Sequence, residues 1–404
     1  MDFGITYTQE QERFRKEVRA WLEANVPAGK RLPVGERDYP PDMQPWWKEF
    51  RKELAAKGWL YPTFPTKYGG GGLSGDHEAI LDEETERVGI PGPNPDKFSL
   101  NTLLVWGTEE QKQKFLVPQI IGEKGNQQKL TEPHSGADAA NIKNRAVRDG
   151  DDWLLSGQNV FISAVGTEDY LPGPFITDPN APRHRNMGYF WMPNFVAGVT
   201  VTEMDLLTGR QQKYVYMDNV RVPADHLIGG PTQGWQVLGT HLEFEHGGGG
   251  RAAPKDEMVE DLVGYVKTAR RGSGTVGVDA VAAQDTAEAH LEAHVGRLME
   301  LRTHWMYSAR MSIQYEGNLA NVHGRHYSLR NAIRVRNVMG LYALLGHADP
   351  AAPNEGREER RQRNAAGQHH AGGSTNIAKV VLARRIGISR TKERAAPTPS
   401  TVGT

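Results

Sequence analysis

Residues 130–138 read Leu-Thr-Glu-Pro-His-Ser-Gly-Ala-Asp, and the pattern of the chain changes at this stretch. On its N-terminal side the signals are helical, since Thr8 and Thr108 each begin a Thr-x-x-Gln capping box. On its C-terminal side, Asp-Gly-Asp-Asp at 149–152 separates two short apolar runs, which is typical of a β-hairpin. The stretch therefore lies where predicted helices give way to predicted strands.

Further short β-rich runs lie at 187–193, 198–203 and 213–217, separated by turn formers as in a small antiparallel sandwich or barrel. Beyond Gly234 the pattern becomes helical again. Apolar residues there recur at steps of three and four and predict a helix packed in a bundle. They are Leu291, Val295, Leu298, Leu301 and Trp305. Other predicted helices cover about 43–57, 76–88, 326–345 and 375–386, with a linker or solvated helix at 349–364.

The chain has 404 residues, more than one compact core normally holds, so we expect two or three domains. The patterns predict a helical domain at 1–125, a β-domain at 126–235, a helical bundle at 236–390 and a disordered tail at 391–404.

Charge and composition exclude several classes of protein. Lys and Arg number 48 and Asp and Glu 49, which leaves no cationic field of the kind that binds nucleic acid. The absence of cysteine excludes disulfides, thiolate metal sites and cysteine nucleophiles. The N-terminus has no basic start with an apolar core, and no apolar run approaches about 18 residues. We therefore expect a soluble, cytoplasmic protein with no nucleic-acid or membrane partner.

The sequence offers little support for a nucleophile or a metal centre. No Gly-x-Ser-x-Gly stretch indicates a serine hydrolase, and the pair His290 and His294 has no obvious third ligand, so we expect no metal. Four glycines at 247–250, beside Glu245 in a predicted helix, favour close packing or the approach of a ligand. Chemistry by a bound cofactor is the more attractive alternative.

Several motifs point to one family. The stretches 130–138 and 157–163 (Gly-Gln-Asn-Val-Phe-Ile-Ser) resemble the Thr-Glu-Pro-x-x-Gly-Ser-Asp and Gly-Gln-Lys-x-Trp-x-Thr signatures of the acyl-CoA dehydrogenase family. Residues 218–223 and 372–377 resemble later family motifs, and the resemblance covers about residues 5–390. It implies an α+β fold with an N-terminal helical domain, a middle antiparallel β-domain and a C-terminal four-helix bundle.

The resemblance also implies that FAD is the cofactor. A hydroxyl group suits the polar edge of a flavin ring and an aromatic side chain suits its face. By the resemblance, Thr131, Phe161 and Ser163 contact the isoalloxazine, with Phe161 in place of the usual Trp and Ser163 in place of the usual Thr. Ser374 and Asn376 correspond to residues that contact the FAD pyrophosphate.

The reaction that the resemblance implies is α,β-dehydrogenation of an acyl-CoA thioester, for which a carboxylate must take the α-proton. Many members use the Glu of a C-terminal Glu-Gly-Thr, but Gly372 occupies that position here. Other members use a Leu-x-x-Glu-Arg motif, which residues 242–246 match except at the final Arg. We therefore expect Glu245 to be the base, with Glu243 a less favoured substitute and a helix-surface glutamate the alternative reading. His246 replaces the Arg of the motif at the expected CoA contact.

Gly372 is also expected to bind substrate, because its backbone N–H is the family's donor to the thioester carbonyl. Without a bulky side chain at Gly372 and Gly373 the acyl pocket would be wider, which suits a branched, cyclic or steroid-like acyl group.

The remaining expectations concern partners. Arg270 matches the start of the Arg-x-x-Phe-Gly segment that commonly binds the neighbouring subunit's FAD, but Ser273 replaces its Phe. The resemblance implies a homotetramer or a heterotetramer with a related subunit, and an electron-transfer flavoprotein as the electron acceptor. Two alternatives stay open: a non-catalytic subunit of a heteromeric dehydrogenase, and an acyl-CoA oxidase or flavin monooxygenase on the same fold.

Overall fold

The computed structural model of the chain describes residues 6–32, 39–40, 42–163, 168–207, 211–245, 256–309, 311–347, 349–367 and 373–389. Its internal contacts divide it into two compact units. The sheet unit comprises Tyr7–Asp205 and Gln211–Glu245, and the helical unit contains the described residues from 256 to 389. The division into three domains and a tail stays a prediction.

Helices α1 to α7 belong to the sheet unit and α8 to α12 to the helical unit. They are α1 (Gln9–Asn25), α2 (Gln44–Ala56), α3 (Gly75–Val88), α4 (Lys97–Trp106), α5 (Glu109–Gln111), α6 (Val117–Ile120), α7 (Gly234–Glu243), α8 (Glu257–Thr268), α9 (Ala280–Ser308), α10 (Glu316–Met339), α11 (Arg357–Gly367) and α12 (Thr375–Arg385). Within the described ranges, no helix has both the length and the apolar character needed to cross a membrane.

The sequence located most helices well. Thr8 and Thr108 each make both hydrogen bonds of the capping box, as predicted. The predicted helices at 43–57, 76–88 and 375–386 correspond to α2, α3 and α12. By contrast, α10 begins ten residues before the predicted 326, at Glu316, and α11 occupies much of the predicted linker or solvated helix.

Strands β1 to β7 of the sheet unit form one sheet in the order β5-β6-β2-β1-β3-β4-β7. They are β1 (Arg145–Asp149), β2 (Asp152–Ile162), β3 (Tyr170–Ile176), β4 (Met187–Pro193), β5 (Val199–Asp205), β6 (Gln211–Pro223) and β7 (Leu227–Ile228). In the helical unit, β8 (Arg270–Arg271) and β9 (Gly274–Thr275) form a separate two-stranded ribbon.

The sheet confirms one expectation, corrects a second and contains a strand that the sequence did not predict. The predicted hairpin is confirmed, since β1 and β2 pair antiparallel around the turn at Gly150 and Asp151. We expected an antiparallel β-domain, and most neighbouring strands of the sheet do pair antiparallel. However, β1 and β3 pair in parallel at Arg145 and Ile176, so the sheet is mixed. The sequence did not indicate β3 because it contains Pro172 and Pro174, which cannot donate ladder hydrogen bonds.

Strand β4 is buried on both faces and connects two apolar cores. Tyr189 and Trp191 pack into a core shared with the helices of the sheet unit and with α7. Phe190 and Met192 point the other way, into a core made by the sheet strands. This alternation follows from the period-two geometry of a strand.

The predicted apolar stripe on α9 is only partly buried in the chain. Leu291 is 63%, Leu298 44% and Trp305 38% exposed, whereas Leu301 is buried. The buried positions of α9 include alanines, which let it pack closely against α10. The stripe predicted by the sequence is therefore buried at Leu301 and exposed at Leu291 and Leu298.

Candidate active site

The segment that leads into the signature stretch, residues 130–138, is held against the sheet by backbone hydrogen bonds. The N–H of Gln127 donates to the carbonyl of Tyr170 at 3.0 Å, and the N–H of Lys129 donates to the carbonyl of Pro172 at 3.0 Å. Segment 126–131 thus runs beside β3 as an extended chain. Because side chains alternate along extended backbone, Gln128 and Lys129 point in opposite directions.

Lys129 points into the strand core. It is fully buried, and its Nζ lies 3.8 Å from the ring centroid of Phe175 with no hydrogen-bond partner among the described residues. Burial lowers the pKa of Lys129 to about 7, against the opposing charge of Glu132. A cation in this core is costly to desolvate, so the amine loses its proton more readily than an exposed lysine does.

Glu132 of the signature fixes the end of the segment. Its carboxylate is 1% exposed and accepts hydrogen bonds from the backbone N–H of Lys143 at 2.6 Å and of Asn144 at 3.0 Å. The side chain of Asn144 then accepts from the N–H of Gln158 at 2.8 Å and donates to Asn159 Oδ1 at 2.9 Å. The buried carboxylate therefore ties the signature to β2.

Thr131 and Phe161 come together through this connection. The carbonyl of Thr131 accepts from the N–H of Val160 at 2.9 Å and from Asn159 Nδ2 at 3.1 Å. The β2–β6 register is irregular between Asn159 and Ile162, and Phe161 has a φ of 58° there. Such bulges re-aim side chains, and the ring of Phe161 is 53% exposed. Ser163 is exposed immediately beyond the end of β2.

Glu245 lies at the other end of the same segment. Phe244 and Glu245 directly follow the last residue of α7, and Phe244 has helical backbone angles. Gln128 Nε2 donates to Glu245 Oε1 at 3.0 Å, and Gln128 Oε1 contacts His241 Nε2. Glu245 is partly buried, whereas Glu243 is exposed.

A second carboxyl group approaches Gln128 from the start of α4. Asp96 has a φ of 54°, and its Oδ2 accepts from the backbone N–H of Gln128 at 3.2 Å. Burial of the carboxyl group raises the pKa of Asp96 to about 8, aided by the charges of Glu168 and Glu245 and opposed by the Gln128 N–H. Asp96 is therefore mostly protonated at neutral pH.

The other predicted cofactor residues belong to the helical unit. Ser374 caps α12 by accepting from the N–H of Ile377, and Asn376 is exposed in the first turn. Arg270 Nη2 donates to the carbonyl of Ser273 at 2.9 Å within the ribbon. His246 and Gly372 lie outside the described residues. No described group of three or more His, Asp or Glu side chains could hold a metal ion.

Sequence comparisons show which known proteins the chain resembles. Residues 8–123 match the family described as acyl-CoA dehydrogenase, N-terminal domain. The chain is 26% identical over 390 residues to Acyl-CoA dehydrogenase FadE26 of Mycobacterium tuberculosis, an alignment that covers 94% of this chain and 96% of the relative. Residues 8–123 therefore belong to the acyl-CoA dehydrogenase N-terminal domain family, and the chain as a whole is similar to proteins named acyl-CoA dehydrogenases. The predicted family and its oxidoreductase class are confirmed.

Solved structures of acyl-CoA dehydrogenases confirm the α+β fold class. The structure titled Tcur3481-Tcur3483 steroid ACAD superposes with a TM-score of 0.83 at 26% identity, covering 97% of this chain and 100% of that chain. The ChsE4-ChsE5 complex from Mycobacterium tuberculosis has the same fold, with a TM-score of 0.79 at 24% identity over 96% of this chain and 100% of that chain.

Acyl-CoA dehydrogenases generally bind FAD, and the described residues fit that cofactor. Phe161 offers an exposed aromatic face beside Thr131. Its φ is positive, which is unusual for a strand residue and is found here at the bulge. The capped N-terminus of α12 presents backbone N–H groups beside Ser374 and Asn376, which is the arrangement that favours phosphate groups.

Sequence reasoning missed the polar groups around Glu245. Gln128 precedes the signature stretch, where no motif pointed to it, and Asp96 and Tyr189 come from distant elements. His241 carried a usable signal, because it lies four residues before Glu245 and hence on the same helix face.

Proposed function

We propose that this acyl-CoA dehydrogenase catalyses the FAD-dependent α,β-dehydrogenation of an acyl-CoA thioester, with Glu245 as the catalytic base. The observation that carries the proposal is the position of Glu245. Its carboxyl group is partly buried, and it is bonded to the segment that also carries Thr131. Glu243 is exposed on the same helix and is a poorer candidate.

The reaction forms a double bond between Cα and Cβ of the acyl group. The Cα–H bond breaks, and its proton passes to a Glu245 carboxylate oxygen. FAD, when bound, would accept the β-hydrogen as hydride. A thioester α-proton is only weakly acidic, so the carboxylate must be close to Cα and ionised when the substrate arrives. The hydrogen bond from the Gln128 amide supports the second requirement, because an N–H donor suits a carboxylate acceptor.

We assign cofactor contacts as predicted from the sequence. Thr131, Phe161 and Ser163 would hold the isoalloxazine ring. Ser374 and Asn376, at the start of α12, would hold the pyrophosphate, and Arg270 would contact the FAD of a neighbouring subunit. For substrate, the backbone N–H of Gly372 would polarise the thioester carbonyl, and His246 would contact CoA.

The acyl group that we propose is branched, cyclic or steroid-like. One relative is titled a steroid ACAD. The lack of a bulky side chain at Gly372 and Gly373 would leave room for such a group.

We further propose that the chain assembles into a tetramer, either of identical chains or with a related subunit, and that an electron-transfer flavoprotein takes its electrons. The exposed apolar residues Leu291 and Leu298 of α9 support an assembly, since exposed apolar surface is a common site of association. A solved relative is titled a complex of two named chains.

The experiment is an anaerobic titration of the purified flavoprotein with straight-chain, branched and steroid-like acyl-CoAs, with flavin absorbance as the readout. We expect bleaching by the branched or steroid-like class, loss of bleaching in Glu245→Gln, and retention in the matched control Glu243→Gln. Bleaching by Glu245→Gln at the wild-type rate would refute the assignment of the base. A colourless chain that responds only after co-expression with a related subunit would indicate the non-catalytic role instead, and oxygen uptake during turnover would indicate an oxidase or monooxygenase.

A further inference from the structure

A chain of hydrogen bonds leads from the interior of the sheet unit to Glu245. The hydroxyl of Tyr189 on β4 contacts His241 Nδ1 at 3.2 Å, and His241 Nε2 contacts Gln128 Oε1. Gln128 Nε2 then donates to Glu245 Oε1 at 3.0 Å. We propose that Gln128 and His241 are positioning residues that hold the Glu245 carboxylate oriented and ready to accept a proton. The proposal rests on the proposed function, in which Glu245 is the base.

One arrangement of hydrogens satisfies the whole chain. Since the amide nitrogen of Gln128 donates to Glu245, its carbonyl oxygen must accept, and His241 must donate from Nε2. A neutral His241 then accepts at Nδ1 from the Tyr189 hydroxyl. Burial raises the pKa of Tyr189, so that hydroxyl keeps its proton as a donor. Every donor therefore points toward Glu245, which ends the chain as the acceptor, as an ionised carboxylate does.

Burial makes this arrangement specific. Tyr189 and His241 are 0% exposed, so water does not compete at the ring, and buried hydrogen bonds of this kind fix side-chain geometry. His241 lies one helical turn before Glu245, so the same helix carries both the base and the group that acts on it. These hydrogen bonds thereby fix the orientation of Glu245 relative to buried side chains rather than to solvent.

Gln128 also separates two acidic groups. Its backbone N–H binds Asp96 and its side-chain N–H binds Glu245. Among the described residues, the titratable groups that approach the site are Asp96, Glu168, Tyr189 and His241. Because burial raises the pKa of Asp96 to about 8, Asp96 is mostly neutral at pH 7, and Gln128 has one carboxylate to stabilise.

The test compares Gln128→Leu, His241→Leu and His241→Gln with the control Gln111→Leu, in flavoprotein reduced anaerobically by the productive acyl-CoA. Gln111 is also a buried glutamine of the sheet unit. Its amide nitrogen donates to the backbone carbonyls of Asp225 and Leu227, and its amide oxygen accepts from the N–H of Thr108, so none of these bonds involves Glu245. In Gln128→Leu we expect the limiting reduction rate to fall about tenfold to a hundredfold, with substrate affinity changed less than about twofold. The acid limb of the pH–rate profile should move up by about one pH unit. His241→Leu should change in the same direction, and His241→Gln, which keeps a donor, should recover most of the rate. Profiles of Gln128→Leu and His241→Leu that overlay the control would overturn the proposal.

A second readout does not depend on activity. In ¹⁵N-histidine spectra recorded by magic-angle spinning, the His241 signal is identified by its absence in His241→Gln. We expect the Nε2–H tautomer in the wild type and a change of tautomer in Gln128→Leu. If no acyl-CoA reduces the wild-type flavin, the proposed function fails, and the spectra alone decide this proposal. A doubly protonated His241 at neutral pH, or a tautomer indifferent to Gln128→Leu, would overturn it in either case.

Discussion

Replacing Lys129 with methionine removes a buried amine at nearly constant volume, and the structure gives the consequence for pH dependence. The folded chain lowers the pKa of Lys129 from the ordinary 10.5 to about 7 through burial, which the charge of Glu132 only partly offsets. Between these values the unfolded chain binds a proton at Lys129 that the folded chain lacks. Stability therefore rises with pH in this window, at a limiting slope of about 1.4 kcal/mol per pH unit.

From pH 7 to pH 9 this titration adds about 2 kcal/mol to the free energy of unfolding of the wild type. Lys129→Met lacks the contribution, so it should be more stable than the wild type at pH 7, and the difference should shrink by about 2 kcal/mol at pH 9. The assay is urea unfolding followed by tryptophan fluorescence, at fixed protein and flavin concentrations. Lys143→Met, at an exposed position of the same unit, is the control for loss of a positive charge. Parallel pH dependence in Lys129→Met and the wild type would refute the reasoning.

Three further predictions concern the scaffold of the site, each checked by unfolding measurements. Glu132→Gln should lower the free energy of unfolding by about 2 to 3 kcal/mol, because the charged acceptor of two backbone N–H groups is lost in a buried position. Flavin should also dissociate more easily from this variant. Unchanged flavin affinity would argue against the role of Glu132 in placing Thr131. Gly157→Ala should destabilise by more than about 1 kcal/mol, because a Cβ there would lie 1.9 Å from Asn144 Oδ1, whereas Gly239→Ala in α7 meets no atom within 4 Å and should stabilise by up to about 1 kcal/mol. The buried Glu84 has its pKa lowered to about 2, since bonds from Arg19, Arg87 and Arg15 outweigh desolvation. Its contribution of about 3 kcal/mol is therefore complete above pH 4.5 and is lost as the pH falls toward 2, and Glu84→Gln should remove that part of the acid dependence.

The sequence predicted the elements whose signals are local. Capping boxes at Thr8 and Thr108, the turn at Gly150 and the run at 187–193 depend on neighbouring residues, and all four correspond to the structure. Strand β3 was missed because two prolines oppose a strand locally, and only its pairing with β4 along its whole length makes it one. The stripe on α9 follows a helical period, but periodicity does not tell whether the chain itself or a partner covers an apolar face.

The candidate site likewise contains residues that sequence motifs predicted and residues that they did not. The motifs led to Thr131, Phe161 and Glu245, and the structure places each of them at the ends of segment 126–131 or beside it. Gln128, Asp96 and Tyr189 were not predicted, because they act on Glu245 through contacts between distant parts of the chain. The Phe at position 161, where the family commonly has Trp, was read from the motif, but its positive φ became evident only from the strand register.

The central claim is that Glu245 removes the α-proton of an acyl-CoA, and solvent exchange at that carbon tests it most directly. A 3-thia-acyl-CoA of the productive class has a sulfur in place of the β-carbon and cannot complete the reaction, but its α-proton remains available to the base. Incubated in D₂O, the wild type and Glu243→Gln should exchange the α-proton, and Glu245→Gln should do so at least about a hundredfold more slowly. Exchange by Glu245→Gln at the wild-type rate would contradict the account.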